Sequence, residues 1–206
     1  MIEYYTIALI AFLGAISPGP DFVVVAKNAI THNRANAIAA SLGIGTGIVV
    51  HTSYCVLGLA LVISSSLLLF SLIKYLGAAY LIYLGIKSLL SKKGHLATAI
   101  EKTKADASLW RAFRDGLLTN VLNPKCTLSM LAIFTLVVKP HTPTVVQASY
   151  GLEIVVITTI WFIFLSYGLT CTRVKTKIDR VQHIISKVIG TVLITLGIIV
   201  IFKSGG

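Results

Sequence analysis

Two short segments carry the residue types from which a small charged solute could be held inside an apolar chain. One is Ser17-Pro18-Gly19-Pro20-Asp21, the other Asn120-Val121-Leu122-Asn123-Pro124-Lys125. Pro18 and Pro20 remove two amide donors and disfavour helical geometry at Ser17 and Gly19. Gly19 offers the backbone freedom that a bend requires. A helix broken in this way ends in unpaired carbonyls and restarts with unpaired amides. The amides, at the positive end of the helix dipole, suit a carboxylate, and the carbonyls suit an ammonium group. Pro20 and Pro124 each fit the first position of a restarted half-helix. Asp21 and Lys125 add opposite charges at equivalent places, which predicts a pair across the two breaks. Ser17, Pro18, Gly19, Pro20, Asn120, Asn123 and Pro124 are thus candidate binding residues, and together the parts can receive a zwitterion. Pro-Gly-Pro alone is equally a packing kink. A second break and two ionisable groups in apolar surroundings, where charge is costly, favour a site.

The elements that must position these breaks follow from composition. Of 206 residues, 56% are hydrophobic and 12% charged, and the mean hydropathy is +0.88. A soluble domain needs roughly 25% charge to wet its surface. The chain therefore reads as a polytopic, all-α membrane protein. A bilayer core of roughly 30 Å takes about 20 helical residues to cross, and six apolar runs qualify, near 4–30, 37–63, 67–90, 111–138, 145–170 and 184–202. The first run is too long for a cleaved signal, and its only early charge is Glu3. If runs one and four are helices over about 4–33 and 110–139, both breaks fall near their middles, a pointer to a transport site at the midplane.

The net charge of +11 could suggest nucleic acid, but the cations sit between apolar runs. Fourteen of the 18 lie between runs one and two, three and four, or five and six. Cations remain on the cytoplasmic side during insertion. Both termini are therefore expected outside, with those three connections cytoplasmic and Lys87–Arg114 the main loop. No nucleic-acid partner is expected.

The two halves also resemble each other. Ile48-Val49-Val50-His51-Thr52-Ser53 reads against Ile154-Val155-Val156-Ile157-Thr158-Thr159, and Pro18 against Pro124, both at an offset of 106. Leu81-Ile82-Tyr83-Leu84-Gly85-Ile86 reads against Leu193-Ile194-Thr195-Leu196-Gly197-Ile198 at 112. Three helices per half is an odd number, so the halves must be inverted in the membrane. The expected fold is one transmembrane domain over 1–206: a repeat over about 1–90, a loop over about 91–110, and a second repeat over about 111–206. Helices one and four are discontinuous.

Other residues speak less clearly. His51 is either a core histidine bonded to a backbone carbonyl or a member of a proton relay. Glu153 opens run five near the outer interface and reads as solvated or as functional. Gly43, Gly45 and Gly47 lie within an apolar helix with no strand before it, so close helix packing is the better reading than dinucleotide binding. Tyr80, Tyr83, Tyr150 and Trp110 read as packing or interfacial aromatics. Three cysteines without a CxxC pair indicate neither a disulfide framework nor a metal site. HExxH, a P-loop and a nucleophile–base pair are all absent from the sequence, so neither an enzyme nor a cofactor is expected.

Ser17-Pro18-Gly19-Pro20-Asp21-Phe22 resembles the N-terminal motif of the LysE/RhtB amino-acid exporter family. So do the segments from Gly116 to Lys125 and from Tyr75 to Gly85. The resemblance covers essentially the whole chain. It implies secondary export of amino acids such as threonine, homoserine, leucine or lysine across the bacterial inner membrane, driven by proton antiport. Asp21 stands where many members have Asn; threonine-exporter-like members share the Asp, which leans towards small neutral substrates. Some relatives carry a glutamate in run five about one turn beyond Glu153, where this chain has Ile157. On this reading Asp21 leads the proton-coupling candidates, with Lys125 and His51 beside it. Partners are the amino acid, protons and the bilayer, with a homodimer an admissible assembly. Rival readings are a metal-cation exporter on a related scaffold, which would want several converging carboxylates, and a channel or membrane scaffold.

Overall fold

Prolines and capping side chains decide where the helices begin. The computed structural model describes residues 1–90, 108–139, 141–170 and 178–203. Among the described residues are eight α-helices: α1 Ile2–Ile16, α2 Pro20–Thr31, α3 Arg34–Ser65, α4 Leu67–Leu89, α5 Leu109–Val121, α6 Pro124–Val137, α7 Thr144–Leu169 and α8 Ile178–Lys203. Pro20 and Pro124 occupy the first turns of α2 and α6, where a missing amide costs nothing. Asn33 accepts from the Asn36 amide at 3.1 Å ahead of α3, and Ser66 from Leu69 at 3.2 Å ahead of α4.

The two expected discontinuities are present. α1 and α2 meet at 54°, and α5 and α6 at 58°. By length and composition α3, α4 and α7 can each cross a membrane, and counting each bent pair as one span gives five. The described apolar stretch of α8, Ser186–Ile199, is shorter than a full crossing, so a sixth span is not established by length and composition. Positions 91–107 and 171–177, which hold seven of the fourteen expected cytoplasmic cations and Cys171, lie outside the described residues.

Contacts fix the helix directions. Tyr4 stacks edge-on against Tyr150 and Phe12 against Trp161, so α1 and α7 run parallel. Ser41 bonds Ser166 at 3.1 Å while a Cβ on Gly151 would strike Thr52, so α3 and α7 run antiparallel. α4 and α8 are antiparallel too, with Ser88 donating to the Ser186 carbonyl at 2.7 Å and Gly197 against Ile82. Small residues permit these approaches, as expected where apolar lipid offers helices no hydrophobic reason to associate. A Cβ on Gly43 would collide with the Phe113 carbonyl of α5, and one on Gly116 with the Ala40 carbonyl of α3. Gly47 faces Asn120 and Gly45 faces Thr159. The glycine triplet thus packs α3 against α5 on one side and α7 on the other, while α2 and α6 also pack on α3 and α1 packs on α7.

Candidate functional site

The two breaks meet. Asp21, in the first turn of α2, accepts from the Asn120 amide at 2.9 Å through Oδ2 and from the Asn123 amide at 3.4 Å through Oδ1. Lys125, in the first turn of α6, donates to the carbonyls of Ser17 and Pro18, each at 3.4 Å. Each break thus sends one charged side chain into the other.

The local sequence explains each placement. Ser17 caps the C-terminal end of α1, where carbonyls lack helical donors. An ammonium group there meets the negative end of the helix. Gly19 is fully extended, with φ −180° and ψ −176°. That backbone is open to any residue, so the expected need for glycine flexibility is not what the bend uses. Its lack of a side chain matters instead, since a Cβ there would lie 3.4 Å from Lys125 Nζ. Asn123 is tied at both ends of its amide group: Nδ2 donates to Asp21, and Oδ1 accepts from the Lys125 backbone amide at 3.0 Å. The two half-helix N-termini therefore differ. That of α6 is capped by Asn123, whereas the first bond reaching back across the α2 break is Val23 to the Gly19 carbonyl at 3.0 Å. The amides of Asp21 and Phe22 head α2.

Asn120 is fully buried and joins the most partners. Besides Asp21, its Nδ2 lies 3.4 Å from Cys126 Sγ. Its carbonyl takes the Asn123 amide at 2.9 Å and His51 Nε2 at 3.0 Å. Its Oδ1 is buried without a partner, packed beside Gly47. His51 is thus a core histidine on a backbone carbonyl, and it is also wired to the break.

Ser17, Pro18, Gly19, Asp21, Asn120, Asn123 and Lys125 come together, flanked by Pro20 and Pro124 at the helix starts and by His51 behind Asn120. One expectation is corrected. Asp21 and Lys125 form no ion pair; among the described residues the ion pairs are Met1–Glu3, Lys139–Glu3 and Arg114–Asp115. Each charge instead satisfies the polar groups its neighbour's break leaves open, which sequence spacing could not distinguish from direct pairing. Glu153 is half-buried, with one carboxylate oxygen, Oε2, buried without a hydrogen-bond partner. Tyr150 is buried against Tyr4, whereas Trp110 stacks on Phe113 of its own helix and is largely exposed. Among the described residues no three His, Cys, Asp or Glu side chains converge as a metal site would need. Tyr54, beside His51, escaped the sequence reading; its only signal is the three-residue spacing that puts both on one helix face.

The family model described as LysE type translocator matches residues 12–204. The uncharacterized membrane protein YrhP of Bacillus subtilis is 33% identical over 199 residues, covering 92% of this chain and 93% of its own. A threonine efflux protein of Escherichia coli is 30% identical over 201 residues, covering 96% and 97%. A homoserine/homoserine lactone efflux protein of Salmonella typhimurium is 30% identical over 144 residues, covering 70% and 68%. No solved structure matches the chain.

Proposed function

The chain belongs to the LysE type translocator family, and from that membership we propose that it exports a small neutral amino acid, of the threonine or homoserine kind, from the bacterial cytoplasm in exchange for inward protons. Relatives named for threonine and homoserine efflux support the substrate class. The observation that carries the site is the mutual occupation of the breaks: Asp21 on Asn120 and Asn123, Lys125 on Ser17 and Pro18.

Those contacts suggest how a zwitterion is taken up. The two carbonyls holding Lys125 are neutral and each 3.4 Å away. A carboxylate is a stronger partner for an ammonium group, so a solute carboxylate draws Lys125 off the carbonyls and settles against the open amides of α2. The solute ammonium takes the place Lys125 leaves at Ser17 and Pro18, facing Asp21. Backbone at 17–20 and the side chains of Asn120 and Asn123 border it. A proton on Asp21 weakens its oxygens as acceptors for both amides and so loosens the join between the breaks, while His51 touches the same asparagine. Binding and protonation thereby act on one two-state element, the requirement for coupling.

The wider arrangement is one transmembrane domain in the inner membrane, crossing six times as an inverted 3+3 repeat with both termini outside. Supporting it are the matched bends, the alternating helix directions, and the way α1–α2 lies against α7 much as α5–α6 lies against α3. The cation distribution supports the orientation.

The test is counterflow. Purified protein in liposomes loaded with unlabelled amino acid should accumulate the same labelled amino acid transiently above equilibrium, for threonine or homoserine among the twenty-odd candidates screened. Non-saturable leakage would indicate a channel instead. Counterflow of a divalent cation in place of any amino acid would indicate the metal exporter.

A further inference from the structure

His51 is 1% exposed and lies between two partners of different character. Its Nε2 is 3.0 Å from the Asn120 carbonyl oxygen. A carbonyl only accepts, so Nε2 carries the hydrogen. Its Nδ1 meets the Tyr54 hydroxyl. In a neutral ring Nδ1 is then the acceptor, and Tyr54 donates. The tautomer is therefore dictated by the surroundings, because the second nitrogen follows from what the first must do. Beyond Tyr54 lies Thr127, in the first turn of α6. Thr127 in turn donates to the Asn123 carbonyl at 3.4 Å, at the cap of that helix.

We propose that Tyr54 and His51 form a hydrogen-bond switch that carries the protonation state of the site from one side of the second break to the other. With His51 neutral, the Tyr54 hydrogen points at Nδ1. A proton arriving on Nδ1 makes the ring a donor at both nitrogens. The Tyr54 oxygen must then accept from Nδ1–H, and its own hydrogen turns away, towards Thr127 Oγ1. One proton enters and none is lost; its departure from Nδ1 restores the first state. The Asn120 carbonyl keeps its Nε2–H donor throughout, so the end of α5 is held while the start of α6 feels the reversal. Tyr54 acts through His51 and Thr127 and is a positioning residue.

The titratable groups that act on His51 are Tyr54 on its own helix and Asp21 from α2; one step further out, Cys55 and Cys126 lie near Tyr54, Lys125 near Asp21, and Tyr80 of α4 near Cys126. From α5 the partner is the neutral Asn120, and the carboxyl group that α7 carries is Glu153. Asp21 is the group through which the switch meets the exporter site, since Asn120 touches both.

The switch rests on the exporter reading, because antiport supplies the proton, but the tautomer does not. Nitrogen-15 magnetic resonance of histidine-labelled protein in lipid tests it, with the His51 signal assigned by its loss in His51→Asn. The wild type should show the Nε2–H form with Nδ1 accepting a hydrogen bond. In Tyr54→Phe the Nδ1 signal should move to that of an unbonded acceptor. Export driven by a pH gradient should fall about tenfold, the scale of one hydrogen bond, while counterflow stays within about twofold, below the energy of any lost contact. A wild-type Nδ1–H tautomer overturns the proposal, even if Tyr54→Phe fails to fold. So does a moved signal with unchanged gradient-driven export, which would leave only a structural contact. Absent counterflow in the wild type would instead strike the exporter reading.

Discussion

Asp21→Asn is expected to cut amino-acid export driven by a pH gradient by about 100-fold, near the upper end of what coupling between two bound species is worth, while counterflow persists. The substitution keeps the shape of the side chain but replaces an acceptor by a donor. Asp21 accepts through both oxygens, from Asn120 at 2.9 Å and Asn123 at 3.4 Å. An asparagine can satisfy one of those amides and must turn its own NH₂ towards the other. More important, it cannot take up a proton. Counterflow needs solute binding and reorientation but no net proton movement, so a carrier that has lost only its coupling group still exchanges. Proteoliposomes with and without an imposed gradient separate the two. Undiminished gradient-driven export by Asp21→Asn would remove Asp21 from coupling.

Lys125→Met is expected to behave differently, weakening counterflow and gradient-driven export together. Lys125 holds the carbonyls of Ser17 and Pro18 and, in the proposed cycle, gives them up for the solute carboxylate. Methionine matches its length and fills its space, but the carbonyls lose their donor and the carboxylate its counter-charge. A hydrogen bond to a charged group is worth roughly 1.5–3 kcal/mol. Solute affinity should therefore drop by roughly 10–100-fold, measured as the concentration that half-saturates counterflow. An unchanged half-saturation would mean that the ammonium group only braces the break. Together the two variants assign binding to one charge and coupling to the other.

How far these assignments could be anticipated from sequence differs by residue. The breaks were legible because Pro18, Pro20 and Pro124 act on their own backbone, whatever surrounds them. The close packing around Gly43 and Gly47 was legible for a similar reason, since small residues four apart leave a groove on any helix. What Asp21 and Lys125 touch was not. Opposite charges at matched positions suggest attraction, whereas the choice between a carboxylate and two bare carbonyls depends on how far α6 is rotated and shifted against α1. Apolar periodicity says little about rotation in a chain whose helices are apolar on most faces. Tyr54 was hidden for the same reason: three-residue spacing puts it on the helix face of His51, but nothing in the sequence turns that face towards Asn120. Gly19 was misread in mechanism, its extended backbone being open to any residue while the space beside Lys125 is not. The sixth run was expected as a full crossing, yet its described apolar part spans only Ser186–Ile199.

Solute protection of a thiol placed between the breaks addresses the central claim most directly. A Cβ at position 19 would lie 3.4 Å from Lys125 Nζ, so Gly19→Cys, in a chain whose native cysteines are serine, puts a sulfur where the solute carboxylate is proposed to arrive. Its rate of reaction with a small methanethiosulfonate reagent would be followed with and without the amino acid found by counterflow. At ten times the dissociation constant about one site in eleven is empty, and labelling should slow about tenfold. An unaltered rate in protein that still catalyses counterflow would show that the solute crosses elsewhere and that the paired breaks only shape the fold.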